Sequence, residues 1–170
     1  MKNNIALIGM SGTFKTSVAK ALGKMLEKRS VDTDEMIEYE YSISIKQLFE
    51  KMGEEYFRHA EEKTTCAIAD FYDVVISTGG GTVLSQRSMN ALKNTCNIIW
   101  LTATPDTIYQ RLKDDTHRPL LNPVTQSTIL KYYLNRADCY RQWADYTVAT
   151  DNKTVEQIAT EIKNLLSSNL

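Results

Sequence analysis

The chain has 170 residues, 42% of them hydrophobic and 24% charged, with a formal net charge of −1. That length fits one domain with a sizeable core, residues 1–170 throughout, and the near-neutral balance offers no footprint for nucleic acid or a membrane surface. No stretch approaches the ~18–20 consecutive apolar residues of a membrane span, and the apolar part of "MKNNIALIG" is too short for a signal peptide.

The first predicted element is a buried strand, "NIALIG" (4–9), an apolar run that ends in glycine. It leads through "GMSGTFKTS" (9–17) into a helix over about 15–28, where Val18, Leu22, Met25 and Leu26 recur at helical spacing. Strand, glycine turn and helix is the setting of a phosphate-binding loop. A helix N-terminus aims unpaired N–H groups at an anion, and its dipole favours negative charge. Gly9, Ser11, Gly12, Thr13, Phe14, Lys15, Thr16 and Ser17 are therefore candidate nucleotide contacts. Lys15 would reach the β and γ phosphates, and the Thr16 hydroxyl would ligate Mg²⁺. The usual pattern has glycine immediately before the lysine, and here Phe14 stands in that place. A plain strand-to-helix turn with solvated Lys15 and Thr16 is the bland alternative.

A second strand ends in "VDTD" (31–34). In an open parallel sheet the carboxyl ends of strands face the ligand crevice. Alternation along an extended stretch would point Asp32 and Asp34 the same way. One would hold a metal through water while the other takes a proton from a hydroxyl. The same residues suit a helix N-cap with acidic first-turn neighbours, and the two readings stay open.

Helical patterns follow near 44–50 and 54–70, then a third strand, "DVVIST" (73–78). Directly after it, "TGGGT" (78–82) lets backbone approach a ligand closely at Gly79, Gly80 and Gly81, with a flexible turn as the alternative. A helix near 85–93, a strand "NIIWLTA" (97–103) and a helix near 105–113 come next. The polar "KDDTHRPLLNP" (113–123), broken by two prolines, reads as a long loop of the kind that forms lids. A helix over 125–143, a fifth strand "YTVAT" (146–150) and the amphipathic "VEQIATEIKNLL" (155–166) close the chain. Strands and helices alternating at these lengths predict an α/β fold, a parallel sheet covered on both faces.

Cys66, Cys96 and Cys139 are odd in number and far apart, and with His59 and His117 they form no metal or disulfide framework. A cytoplasmic location is the expectation. Four arginines, Arg58, Arg111, Arg118 and Arg136, complete the candidates. Arg118 opens "RPLL" inside the expected lid, where it would offset the charge of a transferring phosphoryl group. Paired arginines elsewhere in the crevice would suit a small carboxylate.

In order, the phosphate loop, "DTD" (32–34), "GEEYFRHAE" (53–61), "TGGG" (78–81), "RPLL" (118–121) and "RADCY" (136–140) resemble the shikimate kinase family, over essentially the whole chain. The resemblance implies a three-layer α/β/α P-loop kinase fold with a five-stranded parallel sheet. It also implies transfer of the ATP γ-phosphate to the 3-hydroxyl of shikimate. By that resemblance Asp34 holds and activates the hydroxyl, Arg58 and Arg136 grip the shikimate carboxylate, and Glu61 orients Arg58. Gly79, Gly80 and Gly81 meet the ring substituents, within a substrate region of about 32–61. Thr16, with Asp32 behind a water, holds Mg²⁺. Arg118 closes with a lid of about 113–124, and Arg111 lies against the adenine. Other acceptors, gluconate or an amino analogue of shikimate, are the nearest alternatives, and a non-catalytic nucleotide-binding module is the alternative that Phe14 motivates. The expected partners are small molecules only, and monomer is the default. Replacing Phe14 by glycine is expected to lower stability modestly while leaving ATP affinity equal or better.

Overall fold

The computed structural model describes residues 2–115 and 123–168. Five strands form one parallel sheet: β1 (Asn4–Ile8), β2 (Arg29–Asp32), β3 (Val74–Ser77), β4 (Cys96–Thr102) and β5 (Tyr146–Ala149), in the order β2-β3-β1-β4-β5. Strict alternation of side chains divides the core between the two faces of this sheet. Ala6, Ile8, Val74, Ile76, Ile98 and Trp100 point to one face. Ile5, Leu7, Val75, Ile99 and Leu101 point to the other, against Val18 and Leu22 on one helix and Ile158 and Ile162 on another. Because both faces are covered, β1 and β3 are buried at every residue, which is why they read as unbroken apolar runs.

The covering helices are α1 (Lys15–Leu26), α2 (Thr33–Tyr41), α3 (Ile45–Ala69), α4 (Gln86–Thr95), α5 (Pro105–Leu112), α6 (Gln126–Trp143) and α7 (Val155–Ser167). Their starts carry the expected chemistry. Ser44 and Thr154 close capping boxes, and Thr104 caps α5 ahead of Pro105. The two helical stretches predicted near 44–50 and 54–70 are halves of α3, which breaks at Gly53, where φ is 82°.

One expectation needs correction. The second strand stops at Asp32, so Asp34 is not strand residue but sits in the first turn of α2. Of the two readings left open for this segment the helix cap is the one observed, and α2 buries Thr33 and Ile37 with Met36 and Tyr41 partly buried beside them. Most of the expected lid, including Arg118 and His117, lies outside the described residues.

What the topology does for function is place three loops together. β1 lies between β3 and β4, so the chain leaves β1 at a point where connections diverge to opposite sides, the position where open α/β sheets bind ligands. The carboxyl ends of the adjacent strands β2, β3 and β1 deliver Asp32, the triple glycine and the 9–14 loop to one edge.

Candidate active site

The 9–14 loop begins at a glycine that no other residue could replace without rearrangement. Gly9 has φ 143°, and a Cβ there would sit 2.2 Å from the Leu101 carbonyl oxygen. Gly9 and Thr13 form the back of the loop and do not line the cavity in front of it. Thr13 is buried and donates its hydroxyl to the Met10 carbonyl at 2.8 Å. Ser11, Gly12, Phe14, Lys15, Thr16 and Ser17 do line that cavity, of about 330 Å³, together with Arg111. Lys15 is buried, and its ammonium donates to the Met10 carbonyl at 2.8 Å.

Phe14 is the unusual member. It adopts φ 65°, ψ 19°, the left-handed conformation that glycine takes freely and that costs other residues about 1–2 kcal/mol. Its ring lies under the Arg111 guanidinium, 4.0 Å from ring centroid to the guanidinium carbon, and packs against the α1/α7 side of the core. Arg111 in turn donates to the Gly12 carbonyl at 2.9 Å and to Thr150 at 2.8 Å (carbonyl) and 3.0 Å (hydroxyl). Burial of this guanidinium lowers its pKa, an effect the nearby Asp151 carboxylate opposes.

Asp32 resolves the ambiguity of "DTD". One carboxylate oxygen accepts from the backbone N–H groups of Asp34 at 2.9 Å and Glu35 at 3.3 Å, which makes Asp32 the N-cap of α2. Its other oxygen accepts the Thr16 hydroxyl at 2.7 Å. The cap reading therefore holds, and it still brings both carboxylates to one place. Thr33, between them, is fully buried and accepts the Gly79 N–H at 2.9 Å, tying this segment to the triple-glycine loop.

A second cavity, of about 310 Å³, adjoins the first. Arg58, Glu61, Gly79, Gly80, Gly81 and Arg136 line it, with Ile45, Phe49 and Phe57 as an apolar wall. Arg58 donates to Glu61 at 2.7 Å, and Glu61, only 3% exposed, also accepts the Thr82 hydroxyl at 3.2 Å. Arg136 donates to the Gly80 carbonyl at 3.2 Å and stacks on Tyr132. Ser11, Thr16, Asp32, Asp34, Gly79, Gly80 and Asp115 line both cavities, so these residues form the seam between them.

Two contributors were not singled out from the sequence. The apolar wall of Phe49 and Phe57 belongs to α3, whose sequence reads as ordinary core. Tyr140, one helical turn after Arg136, is fully buried, stacks on Trp100 and donates its hydroxyl to the Gly80 carbonyl at 2.5 Å. Burial pushes the Tyr140 phenol pKa well up, so it remains a donor. Its spacing of four residues from Arg136 was the available signal.

A phosphate loop joined along a carboxylate-lined seam to a cavity with two arginines is an arrangement for moving phosphate onto a small anion-bearing acceptor. Comparison with known proteins decides its kind. The family model for shikimate kinase matches residues 11–167. The chain belongs to the shikimate kinase family. The shikimate kinase of Dehalococcoides mccartyi is 38% identical over 165 residues, covering 97% of this chain and 94% of the relative. That of a Sulfurihydrogenibium species is 38% identical over 159 residues, covering 94% of this chain and 95% of the relative. Among solved structures, shikimate kinase from Acinetobacter baumannii in complex with shikimate superposes with a TM-score of 0.94 at 30% identity, covering 99% of this chain and 95% of that one. The enzyme from Aquifex aeolicus gives 0.86 at 31% identity, covering 98% and 97%. This chain is thus an enzyme of the shikimate kinase type, with the P-loop kinase fold and small-molecule substrates. Among the described residues no helix is long and apolar enough to cross a membrane.

Proposed function

We propose that this shikimate kinase moves the γ-phosphoryl group of ATP onto the 3-hydroxyl of shikimate across the seam, with the donor phosphates on the 9–14 loop and shikimate in the adjoining cavity. The observation that carries the reading is Asp34, which lines both cavities at once. Its carboxylate takes the proton of the attacking hydroxyl as the new O–P bond forms and the bond to ADP breaks. Arg58 and Arg136 bind the shikimate carboxylate by charge-assisted hydrogen bonds, and Glu61 holds Arg58 in place. The glycines at 79–81 admit the ring close to backbone. Lys15 offsets phosphate charge, and Arg118 is assigned the same task from the lid. Arg111 borders the nucleoside side.

The donor set suits Mg²⁺. The Thr16 hydroxyl and the Asp32 carboxylate are hard oxygens 2.7 Å apart. Mg²⁺ in kinase sites is held by one or two protein oxygens together with substrate phosphates and water. Thr16 would bind it directly and Asp32 through water, and the bound ion would neutralise phosphate charge and orient the transferring group.

The test is ADP release from the full chain with ATP, Mg²⁺ and saturating shikimate, with gluconate as a control acceptor. Shikimate-dependent release that excess EDTA abolishes and added Mg²⁺ restores is expected. A folded sample that releases no ADP above background removes the proposal.

A second expectation concerns Tyr140. Tyr140→Phe removes the shorter of the two hydrogen bonds that Tyr140 and Arg136 donate to the Gly80 carbonyl, and so loosens the loop on which Arg136 is anchored. Denaturant unfolding should show a loss of about 1 kcal/mol. KM for shikimate should rise about three- to tenfold while KM for ATP stays within twofold. An equal rise in both would make Tyr140 merely a core residue.

A further inference from the structure

We infer that Phe14 is a positioning residue for the nucleotide donor: its ring is the platform that holds Arg111 across the phosphate loop. This rests on the reading of ATP as the donor bound by that loop. The two residues are 97 positions apart in sequence, so nothing local obliges them to meet. Yet the guanidinium carbon lies 4.0 Å from the Phe14 ring centroid, inside the range in which a cation is attracted to an aromatic face.

The remaining contacts show what the stack holds in place. With one face on the ring, the guanidinium is fixed along its edges by the Gly12 carbonyl at 2.9 Å and by Thr150 at 2.8 and 3.0 Å. A trans peptide sets its C=O and N–H in opposite directions. The Arg111 bond to Gly12 therefore also fixes the direction of the Thr13 N–H within the loop. Arg111 and Phe14 line the same cavity as Lys15 and Thr16. Glycine at position 14 would adopt the observed φ of 65° without strain. It would also leave the lower face of Arg111 with no ring beneath it. On sequence alone, Phe14→Gly is expected to bind ATP equally well or better; the stack reverses that sign.

Three variants of the full chain separate the ring from the backbone. Phe14→Leu keeps the same left-handed backbone cost and an apolar side chain but has no aromatic face. Phe14→Tyr keeps the face. Phe14→Gly removes both strain and ring. Steady-state ADP release should show KM for ATP raised about three- to tenfold in Phe14→Leu and Phe14→Gly, with KM for shikimate within twofold in each. Phe14→Tyr should hold KM for ATP within twofold of the parent. Combining Phe14→Leu with Arg111→Met should weaken ATP no further than Arg111→Met alone, because the ring acts through the guanidinium. ATP bound by folded Phe14→Leu as well as by the parent overturns the inference, as does an additive double variant or an equal rise in both KM values. The parent enzyme's own turnover with ATP and shikimate tests the underlying reading separately.

Discussion

Asp34→Asn should leave a folded protein that binds ATP and scarcely turns over. The cap that starts α2 is built from the Asp32 side chain and the backbone N–H of residue 34, so asparagine there does not disturb it. The replacement has nearly the same shape and removes only the ability to accept a proton as an anion. Loss of a positioned acid–base group costs roughly 10²–10⁴ in rate, or about 3–5 kcal/mol of barrier. We expect kcat to fall by that factor, KM for ATP to change less than threefold and the melting curve to stay in place. A variant with near-parental kcat would reduce Asp34 to an acidic residue that complements the α2 dipole.

Gly81→Ala should be almost as damaging, for a steric reason. At Gly81 φ is −96°, which alanine adopts without strain, so only space is at issue. A Cβ there would lie 2.1 Å from Arg58 Nη1 and 2.6 Å from its guanidinium carbon. Backbone on one side and a flexible side-chain tip on the other means that the tip yields. Arg58 must withdraw by about 1 Å or more to restore van der Waals distance, and its 2.7 Å contact with Glu61 is disturbed. Stability should change little. Misplacement of a substrate-positioning group by ~1 Å can cost about 10² in rate. We expect kcat/KM for shikimate to drop by ten- to a hundredfold, with KM for ATP near the parental value. An alanine variant with unchanged shikimate kinetics would show that the Arg58 position is not tightly specified.

The fold was legible because each central strand is buried on both faces. "NIALI" and "VVIS" have no solvent side to dilute the apolar run, so the strands read from the run itself and the parallel sheet from their alternation with helices. Helix α2 was legible only as one of two readings, because its start depends on the Asp32 side chain and only Thr33 and Ile37 are fully buried along it. Over three residues, an N-cap followed by a first-turn carboxylate looks the same as strand alternation. Strand alternation and the helix cap therefore both bring Asp32 and Asp34 together, and the structure does so through the cap. Phe14 shows a different limit: the glycine usual at that place raises the question of a positive φ, but the ring's partner Arg111 is remote in sequence. The same remoteness hid Tyr140, whose acceptor Gly80 is 60 residues away. Gly9 and Thr13 belong to the loop by spacing, yet which residues of a turn face a cavity depends on dihedral angles that spacing does not encode.

Asp32 has a consequence for any attempt to re-engineer the enzyme for another acceptor. Its two oxygens serve different masters: one starts the helix that carries Asp34, the other receives the hydroxyl at the start of the helix that carries Lys15. An asparagine could satisfy only one of these arrangements with its oxygen, and its amide would face the other as a donor. Acceptor choice and donor grip are thus not separable variables at this position. A library aimed at new substrates does better to hold Asp32 constant and vary the apolar wall at Ile45, Phe49 and Phe57, which touches the second cavity without touching the first.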